Sequence, residues 1–137
     1  MATRILIADD EPLYLRLLQI NLSSEGYEVV TSVNGEDALE KISASNPDLV
    51  ILDIMMPKLD GITTCERIRQ FSNVPVIMLT AYGAVETYLK SLSLGVFEYV
   101  NKPVKAKELG RIVKAALDCS QQDSPSHRED DPISAAN

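Results

Sequence analysis

The sequence predicts an α/β fold, a five-stranded parallel sheet with five helices packed against its two faces. Two near-continuous apolar runs, from Arg4 to Asp9 and from Asp48 to Asp53, read as strands buried on both faces. Three further strand-like runs each follow a stretch of helical period, and that alternation implies right-handed crossovers between parallel strands. The strands also tend to finish on a polar or charged side chain, at the sheet edge where parallel sheets bind ligands. With 137 residues and 45% hydrophobic content, one domain with a single core is expected.

Each element has a local reason. The first strand ends in Asp9-Asp10-Glu11, and Pro12 suits the first turn of a helix, where a missing N–H costs nothing. Leu15, Leu18 and Leu22 repeat at helical spacing, and Gly26 supplies a stop. Tyr27–Thr31 is a short strand. Asn34 caps the next helix, which turns Ala38, Leu39 and Ile42 to one face. The central strand, Asp48–Asp53, is preceded by Asn46-Pro47 and followed by Ile54-Met55-Met56-Pro57 and Asp60-Gly61. Asp60 caps a third helix reaching about Gln70, with Ile62, Cys65 and Ile68 inward.

Val74–Thr80 is the fourth strand, its Pro75 near the start where a lost donor is tolerated. A helix from about Ala84 to Leu94 is stopped by Gly95. The fifth strand, Phe97–Asn101, runs into Lys102-Pro103. The last helix carries Leu109, Ile112, Val113, Ala116 and Leu117 as an amphipathic stripe.

Composition bounds the function. Cys65 and Cys119 give neither a disulfide framework nor a metal-ligand spacing, so a reducing, cytoplasmic setting is expected. No signal segment or membrane-spanning stretch is visible. A net charge of −7 argues against nonspecific nucleic-acid binding. Residues 118–137 hold five acidic residues against one arginine, with Pro125, Pro132, several serines and no apolar period. A domain over 1–118 and a polar acidic tail or linker over 119–137, without fixed structure, is therefore expected.

The chemistry gathers at the strand ends. Asp9, Asp10, Asp53, Thr80 and Lys102 fall at one edge of the predicted sheet. Three carboxylates in one cleft repel each other unless a cation sits among them, and hard oxygen donors suit Mg²⁺ better than zinc or copper. A lysine ammonium adds positive charge. That set fits phosphoryl transfer to a carboxylate nucleophile, with metal and lysine neutralising the equatorial oxygens. Each residue alone has an ordinary explanation: helix cap, strand former or turn residue. Their conjunction in strand order does not.

From about Arg4 to Leu117 the chain resembles a response-regulator receiver domain of two-component signalling. The resemblance rests on Ile7-Ala8-Asp9-Asp10-Glu11, Asp53-Ile54-Met55-Met56-Pro57 with Asp60-Gly61, Leu79-Thr80-Ala81, and Gly95 through Tyr99 to Lys102-Pro103. It implies a flavodoxin-like sheet in the order 2-1-3-4-5. It implies Asp53 as phosphoacceptor, taking its group from a phosphohistidine on a sensor histidine kinase or histidine phosphotransfer domain. Asp9, Asp10, Asp53 and the Met55 backbone carbonyl match the Mg²⁺ positions, and Lys102 matches the phosphoryl-binding lysine. Thr80 and Tyr99 match a switch pair that alters the surface of the fourth helix, fifth strand and fifth helix. The Lys102-Pro103 bond is expected to be cis. Tyr82 and Met55 fall where the family tunes dephosphorylation, and Val96 stands where alanine is usual.

With no DNA-binding segment read after Leu117 and no helical period in the tail, a stand-alone, chemotaxis-type receiver acting on a protein effector is expected, without direct nucleic-acid binding or membrane insertion; a piece of a longer regulator is the alternative. The resemblance also implies an autocatalytic switch rather than an enzyme with a diffusible substrate. Two other readings remain, a receiver-like interaction module that is never phosphorylated and an aspartate-nucleophile phosphohydrolase. Tyr99 by itself also reads as an edge-strand aromatic lying on the last helix.

Overall fold

The computed structural model describes residues 2–81 and 85–122. Its elements are β1 (Arg4–Ala8), α1 (Pro12–Ser23), β2 (Glu28–Ser32), α2 (Gly35–Ser45), β3 (Leu49–Asp53), α3 (Gly61–Arg69), β4 (Val76–Thr80), α4 (Val85–Ser93), β5 (Glu98–Asn101) and α5 (Ala106–Gln122). The strands form one parallel sheet in the order β2-β1-β3-β4-β5, as expected. Every residue of β3 and β4 is buried, which explains why those runs are continuously apolar rather than alternating.

The sheet divides the core in two. Leu6, Val50, Leu52 and Met78 face Ala38, Ile42, Cys65 and Ile68 of α2 and α3. Ile5, Ile7, Leu49, Ile51 and Ile77 face Leu15, Leu18 and Leu22 of α1 and Leu109, Val113 and Ala116 of α5. Full burial of each such aliphatic side chain contributes on the order of 1.5–3 kcal/mol, so this double layer makes a rigid support for whatever the strand ends carry.

Helix starts and stops follow local chemistry. Pro12 opens α1, the Asn34 side chain accepts from the Asp37 N–H at 2.8 Å, and Asp60 accepts from the Thr63 N–H at 2.8 Å. Gly26 and Gly95 adopt φ of +94° and +72° beyond the ends of α1 and α4, a backbone region that favours glycine. β4 begins after Pro75, whose carbonyl still accepts from the Val50 N–H at 3.0 Å.

At the C-terminal end the expected boundary shifts. Helix α5 continues through Gln122, covering the first four residues assigned to the tail; residues 123–137 lie outside the described residues. The apolar stripe stops at Leu117, and that marks where packing ends, not where the helix does. No glycine or proline interrupts the chain between Gly110 and Pro125. Among the described residues, no helix is long and apolar enough to cross a membrane.

Candidate functional site

Three backbone hydrogen bonds beyond the strand ends anchor the chain at or beside predicted positions. Asp9 N–H donates to the Ser32 carbonyl (3.1 Å), Ile54 N–H to the Leu79 carbonyl (3.1 Å), and Lys102 N–H to the Thr80 carbonyl (2.7 Å). The ladder thus fixes the main chain at Asp9, just after Asp53 and at Lys102 before each chain departs into a loop. Gly61 completes the support: its N–H donates to the Ile54 carbonyl at 2.9 Å. A Cβ built on Gly61 would stand 2.8 Å from Ile54 Cα, so only glycine lets α3 start this close to the end of β3.

Four of the predicted side chains, Asp9, Asp10, Asp53 and Lys102, converge. One carboxylate oxygen from each of Asp9, Asp10 and Asp53 lies within 4.8 Å of the other two. Lys102 Nζ stands 2.8 Å from Asp9 Oδ2, 3.2 Å from Asp53 Oδ2 and 3.3 Å from Glu11 Oε1. A cleft of about 240 Å³ opens onto this group, lined by Asp10, Glu11, Asp53, Met55, Ala81 and Lys102. Asp9 and Asp53 are almost wholly buried at 1% and 3% exposure, whereas Asp10 is exposed at the rim.

The buried carboxylates are oriented by backbone donors. Asp9 Oδ1 accepts from the Glu11 N–H at 2.9 Å, and Asp53 Oδ1 accepts more weakly from the Met55 N–H at 3.3 Å. Asp53 Oδ2 accepts from Lys102 Nζ at 3.2 Å. Asp9 Oδ2 is different: it is buried, and its contact among the described residues is the 2.8 Å ion pair with the lysine ammonium. A buried carboxylate oxygen is therefore left with an ion-pair contact alone.

The electrostatics follow from crowding. Burial, then the neighbouring Asp9 charge, pushes the Asp53 carboxyl above the usual aspartate range, and Lys102 opposes that only in part. Burial alone would weaken the Lys102 ammonium, but the Asp9 and Asp53 carboxylates outweigh it and hold it above the ordinary lysine range. Lys102 therefore stays charged throughout the neutral range. Three carboxylates reach one ammonium here, so the site has an excess of negative charge.

Thr80 ends β4 fully buried, with its backbone carbonyl tied to Lys102. Tyr99, half-buried in β5, packs toward α4. Its hydroxyl is 2.8 Å from Thr87 Oγ1, and its ring meets Tyr88 edge-on at 5.4 Å. The alternative placement of this ring, on the last helix, is thus not what forms. The Lys102-Pro103 bond is cis, as expected. Met55 is exposed in the loop after β3, Val96 is packed against the α2–α3 side of the core, and Tyr82 lies outside the described residues.

Two participants went unread in the sequence. Glu11 was visible only as the third acid of a run, but it reaches Lys102 from the mouth of the cleft. Tyr14 lies one helical turn beyond Asp10 and puts its ring 4.7 Å from Lys102 Nζ. An aromatic four residues after an acid pair was the available signal.

Comparison with known proteins agrees with this geometry. A family model described as the response regulator receiver domain matches residues 5–114. The chain is 46% identical over 114 residues to a probable transcriptional regulator, ycf27, of Cyanophora paradoxa, covering 83% of this chain and 48% of that protein. It is 42% identical over 127 residues to the alkaline phosphatase synthesis transcriptional regulatory protein PhoP of Bacillus subtilis, covering 92% and 53%. A CheY-like receiver domain protein of Methanospirillum hungatei superposes with a TM-score of 0.87 at 30% identity, covering 90% of this chain and all of that one.

The chain spans about half the length of the curated relatives it matches. This corrects the expectation of a partner set without nucleic acid. The relatives are named as transcriptional regulators, and the acidity behind that expectation describes only these 137 residues, about half the length of those relatives.

Proposed function

The chain belongs to the response regulator receiver domain family, and on that premise we propose that Asp53 accepts a phosphoryl group from a phosphohistidine on a sensor kinase or phosphotransfer domain. One observation carries the proposal: a buried carboxylate at the floor of an open cleft, 3.2 Å from a lysine ammonium and beside two further carboxylates.

The residues fit a magnesium ion. The carboxylates of Asp9, Asp10 and Asp53 cluster beside one ammonium among the described residues, and Asp9 Oδ2 is buried with only an ion-pair contact, so the donors are hard oxygens short of positive charge. Asp9, Asp10, Asp53 and the Met55 carbonyl would hold the ion. Bound there, Mg²⁺ would supply positive charge to the transferring phosphoryl oxygens.

The remaining steps belong to the chain. An Asp53 oxygen forms a bond to phosphorus as the P–N bond of the donor breaks; the electron pair leaves with the imidazole, which takes a proton. Lys102 neutralises charge on the phosphoryl oxygens in the transition state and the product. The Thr80 hydroxyl donates to a phosphoryl oxygen, and Tyr99 leaves Thr87 to turn inward behind it. Because Tyr99 is tied to α4, its departure alters the α4–β5–α5 surface, a two-state equilibrium biased by one local charge. Water later attacks the acyl phosphate, so the chain turns over its own phosphoryl group and no diffusible substrate.

Intact-mass measurement after incubation with acetyl phosphate, with and without Mg²⁺, tests this reading. One phosphoryl group should appear on the parent only with Mg²⁺, and none on Asp53→Asn. If the parent shows neither an adduct nor beryllofluoride binding, a phosphorylation-independent interaction module replaces the acceptor.

A further inference from the structure

Lys102 is enclosed by more than its acidic partners. Asp9, Asp53 and Glu11 approach its ammonium with oxygens at 2.8, 3.2 and 3.3 Å. On another side lies the Tyr14 ring, its centroid 4.7 Å from Nζ, within the range where a ring face attracts a cation. The same side chain makes a second contact: its hydroxyl accepts from the Val104 N–H at 3.5 Å. Val104 follows Lys102 by two residues, so one aromatic from α1 touches both the ammonium and the loop that carries it.

A lysine has four rotatable bonds in its stem, and fixing such a chain costs entropy. In this cleft the ammonium must stand over Asp53 before the phosphoryl group arrives, because a preorganised charge costs no reorganisation during reaction. The oxygens pull it inward, but Glu11 is exposed and pulls it toward the cleft mouth. The Tyr14 ring removes solvent from one side of the ammonium without offering a competing carboxylate. Burial keeps the Tyr14 phenol protonated through the neutral range, so the ring brings no negative charge into an already acidic site.

We propose that Tyr14 is a positioning residue for phosphoryl uptake, its ring face holding the Lys102 ammonium over Asp53 and its hydroxyl steadying the loop at Val104. This inference rests on the acceptor reading of Asp53. The ring is the main contributor, since the Val104 contact is at the long limit of a hydrogen bond.

Parent, Tyr14→Phe and Tyr14→Leu separate the two contacts. Uptake of phosphoryl from acetyl phosphate is timed at saturating Mg²⁺, Mg²⁺ affinity is titrated separately, and folding is checked by urea denaturation. Tyr14→Leu should slow uptake about two- to thirtyfold, the range expected for loss of a partly desolvated cation–ring contact. Tyr14→Phe keeps the ring face and should stay near the parent. Mg²⁺ affinity should change far less than uptake in both, because the ring touches the ammonium directly and reaches the metal-facing carboxylates only through it.

Parent-like uptake by folded Tyr14→Leu overturns the inference. So does an equal loss in Phe and Leu, which would place the effect in the hydroxyl and loop. A loss of Mg²⁺ affinity in step with rate also overturns it, as general damage to the cleft. If Tyr14→Leu does not fold, Tyr14→Met carries the same comparison, and uptake at the parent rate again refutes the ring's role. A parent that takes up no phosphoryl group overturns the acceptor reading itself, an outcome distinct from a competent parent with indifferent variants.

Discussion

Asp53→Asn should stabilise the metal-free fold. Burial and the Asp9 charge raise the Asp53 carboxyl above its ordinary range in the folded state. A group whose folded pKa lies above its unfolded value makes the folded state bind protons more readily, so it favours folding at low pH and penalises it once ionised. The substitution keeps shape and removes the ionised form. The opposing effect is loss of the Asp53–Lys102 pair, and breaking a buried pair by removing one partner can cost about 3–5 kcal/mol. Here Lys102 keeps its shorter contact, 2.8 Å to Asp9, and its contact with Glu11, so it is not left unpaired. Repulsion relieved should therefore outweigh attraction lost, and Asp53→Asn should be the more stable of the two. Urea denaturation in chelator near neutral pH should give a higher midpoint for Asp53→Asn with an unchanged slope. The advantage should shrink as pH falls and the parent carboxyl takes up its proton. Mg²⁺ at ten times its dissociation constant should raise parent stability by about 1.4 kcal/mol, and that of Asp53→Asn by less. An Asn variant less stable than the parent in chelator would mean that the lysine pair outweighs the crowding, and the charge argument would be wrong.

Gly61→Ala should destabilise by about 1–3 kcal/mol in the same assay, because its Cβ would press on the backbone at Ile54 and Asp53. Phosphoryl uptake should fall with it, since the acceptor's main chain is what must move. Asn34→Ala should cost about 1 kcal/mol through loss of the α2 cap, with uptake unaffected because that cap lies outside the acid cluster. Asp37 is held below the usual aspartate range by its bond to Lys41, with Ser32 assisting against partial burial. Its contribution to stability is complete above the ordinary aspartate pKa and disappears as pH falls through the lowered folded value. Because the pair is well exposed, Asp37→Asn should shift the neutral-pH urea midpoint by less than about 1 kcal/mol in equivalent stability. Thr87→Val should remove the hydroxyl partner of Tyr99, leaving its ring freer to turn. A Tyr99 ring NMR signal indistinguishable from the parent's would argue against that tether.

The fold was legible because the sheet is buried on both faces. Residues 49–53 and 76–80 cannot alternate when helices cover each side, so their apolar runs announced central parallel strands. Asp9, Asp53, Thr80 and Lys102 were legible for a related reason: each interrupts or ends an apolar run at the edge where parallel strands point together. Glu11 and Tyr14 were harder to read because their contacts depend on side-chain reach across more than ninety and nearly ninety residues, respectively, to Lys102. No local period encodes that distance. The side of the sheet chosen by Tyr99 was also open, since a partly buried aromatic on an edge strand can lie against either neighbouring helix. Its hydroxyl contact with Thr87 distinguishes the two in the folded chain.

The loop after Asp53 shows why an exposed connection can still serve as a rigid support. Lys58 adopts φ of +68°, a conformation costing a non-glycine residue roughly 1–2 kcal/mol. Around it, Leu59 N–H donates to the Pro57 carbonyl at 2.7 Å, Gly61 N–H returns to Ile54, and Asp60 caps α3. These bonds over-determine the path, so the chain tolerates one strained residue to bring α3 back against the acceptor strand. Met55, by contrast, sits 61% exposed on the outer side of the same loop, with its N–H only weakly engaged by Asp53. The backbone is held on the α3 side and left open on the cleft side. That asymmetry suits the proposed reaction, in which Asp53 would stay fixed while a large phosphodonor approaches and departs.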